Sequence, residues 1–249
     1  MMQVLKTVQE WRSARPAVGL GFVPTMGALH QGHLSLVTRS RTENERTLVS
    51  LFVNRTQFND SRDYEGYPRP MEDDLAMLEA AGVDYVFTPT YETLYPDDYR
   101  YHLYETELSG ELCGAHRPGH FEGMLTVVMK LLQIAQADRA YFGEKDYQQY
   151  QLVRGMAEAF FLTTQIVPCS IVREADGLAM SSRNRRLTTE ERELAPQLSR
   201  VLKQAETVSE AIVELERLGF SVDYVEERWG RRFGAAHLGA VRLIDNVEC

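Results

Sequence analysis

Cysteine is scarce in this 249-residue chain: there are three, at Cys113, Cys169 and Cys249. Odd in number and widely separated, they form neither a disulfide framework nor a zinc-ligand pattern, which fits a reducing compartment. An excess of positive charge is also missing. The 27 Lys and Arg residues against 36 Asp and Glu give a net charge of −9, which excludes a general nucleic-acid binder with its basic footprint. A local basic pocket remains compatible with that total. No run reaches the ~18 apolar residues of a membrane span, and the opening Met-Met-Gln-Val-Leu-Lys holds no apolar core of signal length. The expectation is therefore a soluble, cytoplasmic protein with no membrane partner. Internal repeats and low-complexity tracts are absent too. What is present, 44% apolar and 25% charged residues, is the composition of an ordinary globular chain, long enough for one large domain or two modest ones.

The most informative stretch is Phe22-Val23-Pro24-Thr25-Met26-Gly27-Ala28-Leu29-His30-Gln31-Gly32-His33, followed by Leu34, Leu36 and Val37 at helical spacing. It reads as a strand, a tight turn and a helix start with His30 and His33 on the helix's first turn. Free backbone N–H groups and the positive end of a helix dipole suit such a place to phosphate. A lone histidine near a helix start is more often a cap or a solvated side chain. His-x-Gly-His directly after a strand is far narrower, and it resembles the signature of the nucleotidyltransferase superfamily, whose members attack the α-phosphate of ATP and release pyrophosphate.

Around that stretch the pattern predicts a helix over Val4–Arg15, with Val4, Val8 and Trp11 on one face, then strands at Val18–Val23, Thr47–Val53, Val83–Phe87, Arg139–Phe142 and Thr164–Pro168. Helices fall between them: one running to about Asn44, one from Glu72-Asp73-Asp74 to Ala81-Gly82, a buried one over Met124–Ala137, and one over Gln148–Phe161. Beyond residue 168 the composition shifts to a hairpin-like Val172–Leu178, one helix from Thr188 to about Glu206, a helix over Val208–Leu218, and strands at Ser221–Glu226 and Val241–Asn246. Alternating strands and helices argue for a parallel α/β sheet over residues 1–168 with a small α/β appendage over 169–249. Asn54 and Gln57 follow a buried strand, where ligands of open α/β sheets gather; they suit a hydroxyl or carboxylate, or else tie down a loop. Asp73 and Asp74 either complement the helix dipole or hold Mg²⁺. Lys145 opens a second strand-to-helix junction as a point charge for phosphate. Ser181, Ser182 and Arg183 suit a mobile phosphate clamp.

Four segments, Pro24–His33, Phe52-Val53-Asn54-Arg55-Thr56-Gln57-Phe58, Gly143-Glu144-Lys145-Asp146-Tyr147-Gln148-Gln149 and Met180-Ser181-Ser182-Arg183-Asn184, closely resemble the pantothenate synthetase (pantoate–β-alanine ligase) family in order and spacing. Arg117–Gly123 and Arg242–Asn246 resemble it too. The resemblance implies a Rossmann-like, parallel-sheet nucleotide-binding domain with a C-terminal lid, in a homodimer. It implies an acid–amine ligase that joins (R)-pantoate to β-alanine through pantoyl adenylate, using ATP and Mg²⁺ and releasing AMP and pyrophosphate, in vitamin B5 and coenzyme A biosynthesis. It also implies the catalytic residues His33, as proton donor, His30, Lys145 and Arg183. ATP is expected at Met26, Gly27, Ala28, Leu29, His30, Gln31, Gly32 and His33, at Gly143, Glu144, Lys145 and Asp146, and at Val172, Met180, Ser181, Ser182 and Arg183. Pantoate and β-alanine are expected at Gln57, Gln149 and Asn54, and Mg²⁺ at Asp73 and Asp74.

Two departures accompany the resemblance. Arg55 stands where the second motif usually has proline, which implies retained activity with altered affinity for the two acids. The segment between Tyr224 and Arg242 reads as shorter than in typical members, implying a trimmed lid. Two other readings compete: a relative that adenylates a phosphate ester, which would need a second basic pocket, and a binding protein that has lost its chemistry, against which His30, His33, Lys145 and Arg183 speak.

Overall fold

A computed structural model describes all of residues 1–249, and the chain divides into two units. The first comprises Met1–Leu29, His33–Gly143 and Gln148–Cys169; the second comprises His30–Gly32, Glu144–Tyr147 and Ser170–Cys249.

In the first unit β1 (Gln3–Leu5), β2 (Leu20–Thr25), β3 (Arg46–Leu51), β4 (Tyr85–Phe87), β5 (Arg139–Gly143) and β6 (Gln165–Cys169) form one sheet in the order β1-β4-β3-β2-β5-β6, all pairs parallel. Helices α1 (Val8–Ala14), α2 (Gln31–Glu43), α3 (Ser61–Glu65), α4 (Met71–Ala80), α5 (Tyr91–Leu94), α6 (Cys113–His116), α7 (His120–Ala135) and α8 (Tyr147–Ala159) connect the strands, the starts of α2 and α8 grouping with the second unit. Val23, Val49, Leu51, Val86, Tyr141 and Val167 of the strands pack with Leu36, Val37 and Leu78 of the helices. Helix α7 is buried on nearly every face, which explains a run with no polar side.

The expected helix over Val4–Arg15 is corrected. Gln3–Leu5 is a sixth parallel strand beside β4, and Val4 is exposed on it. The helix begins only at Val8, because Thr7 and Glu10 form a capping box, Thr7 Oγ1 accepting from Glu10 N and Glu10 Oε2 from Thr7 N. Sheet pairing overrides the local helical period before that cap. The other five strands stand where the pattern puts them, with ends shifted by up to two residues.

In the second unit α9 (Thr189–Leu194), α10 (Gln197–Gln204) and α11 (Val208–Arg217) accompany an antiparallel sheet of β7 (Ser221–Arg228), β8 (Arg231–Leu238) and β9 (Val241–Glu248). Leu198, Leu202, Leu215, Phe220, Ala236 and Leu243 form its core. The single helix expected from Thr188 to Glu206 is two helices, parted at Ala195-Pro196, since Pro196 brings no N–H to continue the ladder. Strand β8 has no counterpart in the sequence reading: Arg231-Arg232 and Gly234-Ala235-Ala236 carry little strand propensity, yet their partners on both sides hold them in the sheet. Trp229-Gly230, both with positive φ, make the two-residue turn before it.

Candidate active site

In the first unit the parallel register sets Thr25 beside Leu51, so β2 and β3 end together. The turn after β2 is tied down from inside. Thr25 Oγ1 accepts from Gly27 N at 3.1 Å and donates to Ser50 O at 2.8 Å, while the two carboxylate oxygens of Asp74 accept from Ala28 N and Leu29 N, each at 2.8 Å. Gly27 takes φ +77°, and a Cβ there would meet Asp74 Oδ2 at 2.8 Å, so only glycine closes this turn. The N–H groups of Gly27, Ala28 and Leu29 are therefore already occupied.

The same contacts give Asp74 a structural role that Asp73 does not share. Asp74 is buried and both of its oxygens are engaged, while Asp73 is exposed on α4. No group of three or more His, Cys, Asp or Glu side chains is arranged to hold a metal ion.

After β3, Asn54 and Gln57 form a buried carboxamide cluster at a 3₁₀ turn, Arg55–Gln57. Asn54 Nδ2 donates to Gln57 Oε1 and to Gly123 O, both at 3.1 Å; Asn54 Oδ1 accepts from Tyr95 OH at 2.9 Å and from Thr56 Oγ1 at 3.0 Å. Burial pushes the Tyr95 phenol up, so it remains a donor. With its oxygen taken, Gln57 has two Nε2–H protons to give, and one of them goes to Met26 Sδ at 3.2 Å. His120 Nδ1 lies 2.8 Å from Gln57 O, and Arg117 Nη1 lies 3.0 Å from His120 Nε2. A Cβ on Gly123 would sit 2.2 Å from Thr56 O and 2.7 Å from Gln57 N, so the start of α7 presses directly on this turn. Tyr95, Arg117, His120 and Gly123 thus support the cluster. Sequence reasoning noted the Gly, Pro and His density of residues 112–123 but had no signal for what it folds against.

The adjacent glutamines at the start of α8 divide their work. Gln148 is buried, accepting from Cys113 N and donating to Leu108 O and Glu111 O. Half-buried Gln149 stays outside that network.

The second unit gathers His30, Lys145, Val172, Met180 and Arg183. His30 lies just before α2 rather than on its first turn, and His33 occupies that turn in the first unit. His30 Nδ1 accepts from Gly32 N at 3.1 Å, so the ring's proton sits on Nε2. Burial first, then the Lys145 ammonium and the Arg185 guanidinium, pull the imidazole from 6.5 down to about 4. At neutral pH His30 is therefore an uncharged N–H donor. Met180 N donates to Val172 O at 3.0 Å across a one-bridge hairpin, and Ser181 Oγ accepts from Arg183 N at 3.3 Å to open the 3₁₀ turn Ser182–Arg186. Three arginines lie on that turn.

A model of the family described as pantoate–β-alanine ligase matches residues 1–248. A pantothenate synthetase of Bdellovibrio bacteriovorus is 52% identical with all of each chain covered, and one of Coxiella burnetii is 50% identical over 99% of this chain and 97% of that protein. Among solved structures, a pantothenate synthetase from Thermus thermophilus superposes with a TM-score of 0.94 at 42% identity, covering 99% of both chains. A pantoate–β-alanine ligase from Francisella tularensis, complexed with β,γ-ATP and β-alanine, gives 0.95 at 39% identity, covering 100% of this chain and 98% of that one. These proteins have nearly the length of this chain, so against them the segment before Arg242 is not trimmed.

Proposed function

The chain belongs to the pantoate–β-alanine ligase family, and on that premise we propose that it condenses (R)-pantoate with β-alanine to pantothenate, through pantoyl adenylate, converting ATP to AMP and pyrophosphate. The observation that carries this reading is the family match along the whole chain, which includes both histidines, the amide cluster and the Lys145 turn.

The chemistry suits the residues. A pantoate carboxylate is ionised at neutral pH, so its attack on the α-phosphorus needs no base. The catalytic work is positioning and stabilisation of charge on the phosphoryl oxygens as pyrophosphate leaves. Lys145 and Arg183 supply cations there, His30 offers a neutral Nε2–H, and His33 acts as proton donor. Gln57 and Gln149 grip pantoate by their amides, with Asn54 holding Gln57 in the donor orientation. The β-alanine amine, in its neutral form, then attacks the acyl carbon and displaces AMP. Met26–His33, Gly143–Asp146, Val172 and Met180–Arg183 line the ATP site, and residues 169–249 act as a lid that keeps water from the acyl adenylate. Mg²⁺ enters with the triphosphate, and Asp73 and Asp74 are the carboxylates assigned to meet it. The same reading makes the protein a cytoplasmic homodimer.

Product formation from ATP, Mg²⁺ and pantoate, with and without β-alanine, tests the reading on wild type and His33→Ala. AMP and pantothenate appear only with β-alanine, and the variant loses most of the rate. Pyrophosphate release without pantoate, or no turnover at all, would overturn the assignment.

A further inference from the structure

Strand β9 ends in Asp245-Asn246-Val247-Glu248, far in sequence from every residue given a role above, yet Asn246 is among the most buried polar side chains of the protein, at 1% exposed. Its carboxamide is fully used. Nδ2 donates to Glu144 O at 2.9 Å and to Lys145 O at 3.2 Å, and Oδ1 accepts from Arg231 Nη1 at 3.0 Å. Glu144 and Lys145 lie in the 3₁₀ turn Glu144–Asp146 that leads into α8, and all of these residues belong to the second unit.

The group at this position has to be a carboxamide. Two consecutive carbonyls need two N–H donors from one nitrogen, and the guanidinium behind needs an acceptor on the same side chain. A carboxylate would turn an oxygen toward both carbonyls; an apolar residue would leave them buried and unpaired. The surroundings fix Asn246 as firmly as it fixes the turn. Arg173 grips Asp245 through two bonds, of 2.6 and 2.9 Å, and donates to Asn246 O, while Asp245 Oδ1 accepts from Asn246 N at 2.8 Å. Arg231 also reaches Glu144 Oε1 at 3.3 Å and lies 4.7 Å over the Tyr147 ring. The Lys145 turn is thus clasped at its carbonyls, at the Glu144 side chain and at the Tyr147 ring.

We infer that Asn246 is a positioning residue that acts through Lys145: its carboxamide sets the backbone of the Glu144–Lys145 turn and so the place where the Lys145 ammonium meets the triphosphate. The inference rests on the ligase reading for what Lys145 does there. It makes the end of the chain part of the nucleotide site without any contact of its own with the nucleotide.

A double-mutant cycle tests it, with wild type, Asn246→Asp, Lys145→Met and the double variant, alongside Asn246→Ala. Asn246→Asp keeps volume and the acceptor for Arg231 while removing both donors. Pantoate-dependent exchange of pyrophosphate into ATP and titration of ATP binding are the readouts, with thermal melting as the control for folding. A displaced catalytic group costs on the order of tenfold to a hundredfold, so both Asn246 variants are expected to lose at least about tenfold in exchange, with the KM for pantoate unmoved. In the Lys145→Met background the further loss falls to about twofold or less, because the residue acted through the missing ammonium. Losses that multiply in full, a KM for pantoate that rises in step, or variants that do not fold would make Asn246 a general structural residue and overturn the inference. Should wild type make no pantothenate, the ligase reading falls, and non-additivity in ATP binding alone still decides the role of Asn246; wild type that binds no ATP overturns both.

Discussion

The first unit holds Asn54 and Gln57 mainly through neutral groups, whereas the second sets its Lys145 turn among charged pairs, and the two solve the same problem by different physics. Around Asn54 and Gln57 the nearest partners are a phenol, a hydroxyl, a carbonyl and an imidazole, every one within 3.1 Å, with the Met26 thioether at 3.2 Å and the Arg117 guanidinium 3.5 Å from Gln57 O beyond them. Orientation there is set by donor and acceptor identity: Tyr95 and Thr56 donate to Asn54 Oδ1, so Asn54 must donate to Gln57, and Gln57 must present its own N–H group on the side of Met26. Around Lys145 charged pairs stand beside the neutral carboxamide of Asn246. Arg173–Asp245 and Arg231–Glu144 frame the turn, and the cations Lys145 and Arg185 depress the imidazole of His30. A carboxylate that is to attack as a nucleophile is best held by neutral donors, which leave its charge available. A phosphate that gains charge in the transition state is best met by cations fixed in advance.

The sharpest way to break the first half of this comparison is Gly123→Ala. Its Cβ would fall within 2.7 Å of three backbone atoms of Thr56 and Gln57, so the turn has to move, and overpacking of this kind costs about 1–3 kcal/mol. Thermal melting should show that loss, and the KM for pantoate should rise at least about tenfold, since a misplaced donor is lost to the ligand. An unchanged KM would detach Gln57 from pantoate.

The second half is sharpened by the titration of His30. Its folded value of about 4 lies below the ordinary 6.5; between those two pH values the unfolded chain binds the proton and the native chain does not. This group therefore favours the folded state above about pH 6.5, and its contribution falls away as the pH drops toward 4. Nitrogen-15 spectra of the imidazole should show the Nε2–H tautomer at pH 7 and no protonation down to pH 5. Lys145→Met removes one of the two cations, so the titration should move upward in that variant. A value that stays put assigns the shift to burial and Arg185.

Tyr95→Phe is a smaller perturbation of the first unit. It removes one of the two donors to Asn54 Oδ1, and a single neutral hydrogen bond contributes about 0.5–1.5 kcal/mol. Stability should fall by about that much, with the KM for pantoate rising severalfold at constant kcat. A drop in kcat alone would mean that the phenol acts on chemistry and not on the orientation of the amide.

The sequence makes the sheet legible and leaves much of its support unseen, for physical reasons. Buried parallel strands such as Thr47–Leu51 announce themselves as apolar, β-branched runs, and the glycines and histidines of the first turn mark a junction. Gln3–Leu5 is too short to carry a period and becomes a strand only because β4 lies beside it. Asp74 looks like a helix-dipole complement or a metal ligand, because nothing local shows that its two oxygens close a turn 45 residues away. Tyr95, Gly123 and Asn246 act through contacts 41 to 102 residues distant in sequence, and no local pattern encodes a partner at that range.

Arg55 is the mildest test of the comparison, because it puts a charge beside the neutral cluster. Its side chain turns away from Asn54 and Gln57: the guanidinium stacks 3.8 Å from the centre of the Tyr91 ring and lies 3.8 Å from Asp98, half exposed to solvent. Tyr91 in turn packs against Tyr95, with ring centres 4.8 Å apart and planes tilted by 35°, so the cation reaches the amide cluster through two packed rings. Arg55→Pro deletes a cation–π contact of about 0.5–1 kcal/mol and an exposed ion pair of about 0–1 kcal/mol. It also places proline at the first position of a 3₁₀ turn, where its fixed φ costs nothing and stiffens the unfolded chain by about 0.4–1 kcal/mol. The opposing terms leave stability within about 1 kcal/mol of wild type. Affinity is where the substitution should register, because the rings behind Tyr95 are released and a positive charge leaves the neighbourhood of two carboxylate substrates. The KM values for pantoate and β-alanine should shift by about twofold to fivefold while kcat holds. Unchanged values for both acids would show that the phenol of Tyr95 is held by Asn54 alone and that the charge is fully spent on Tyr91 and Asp98.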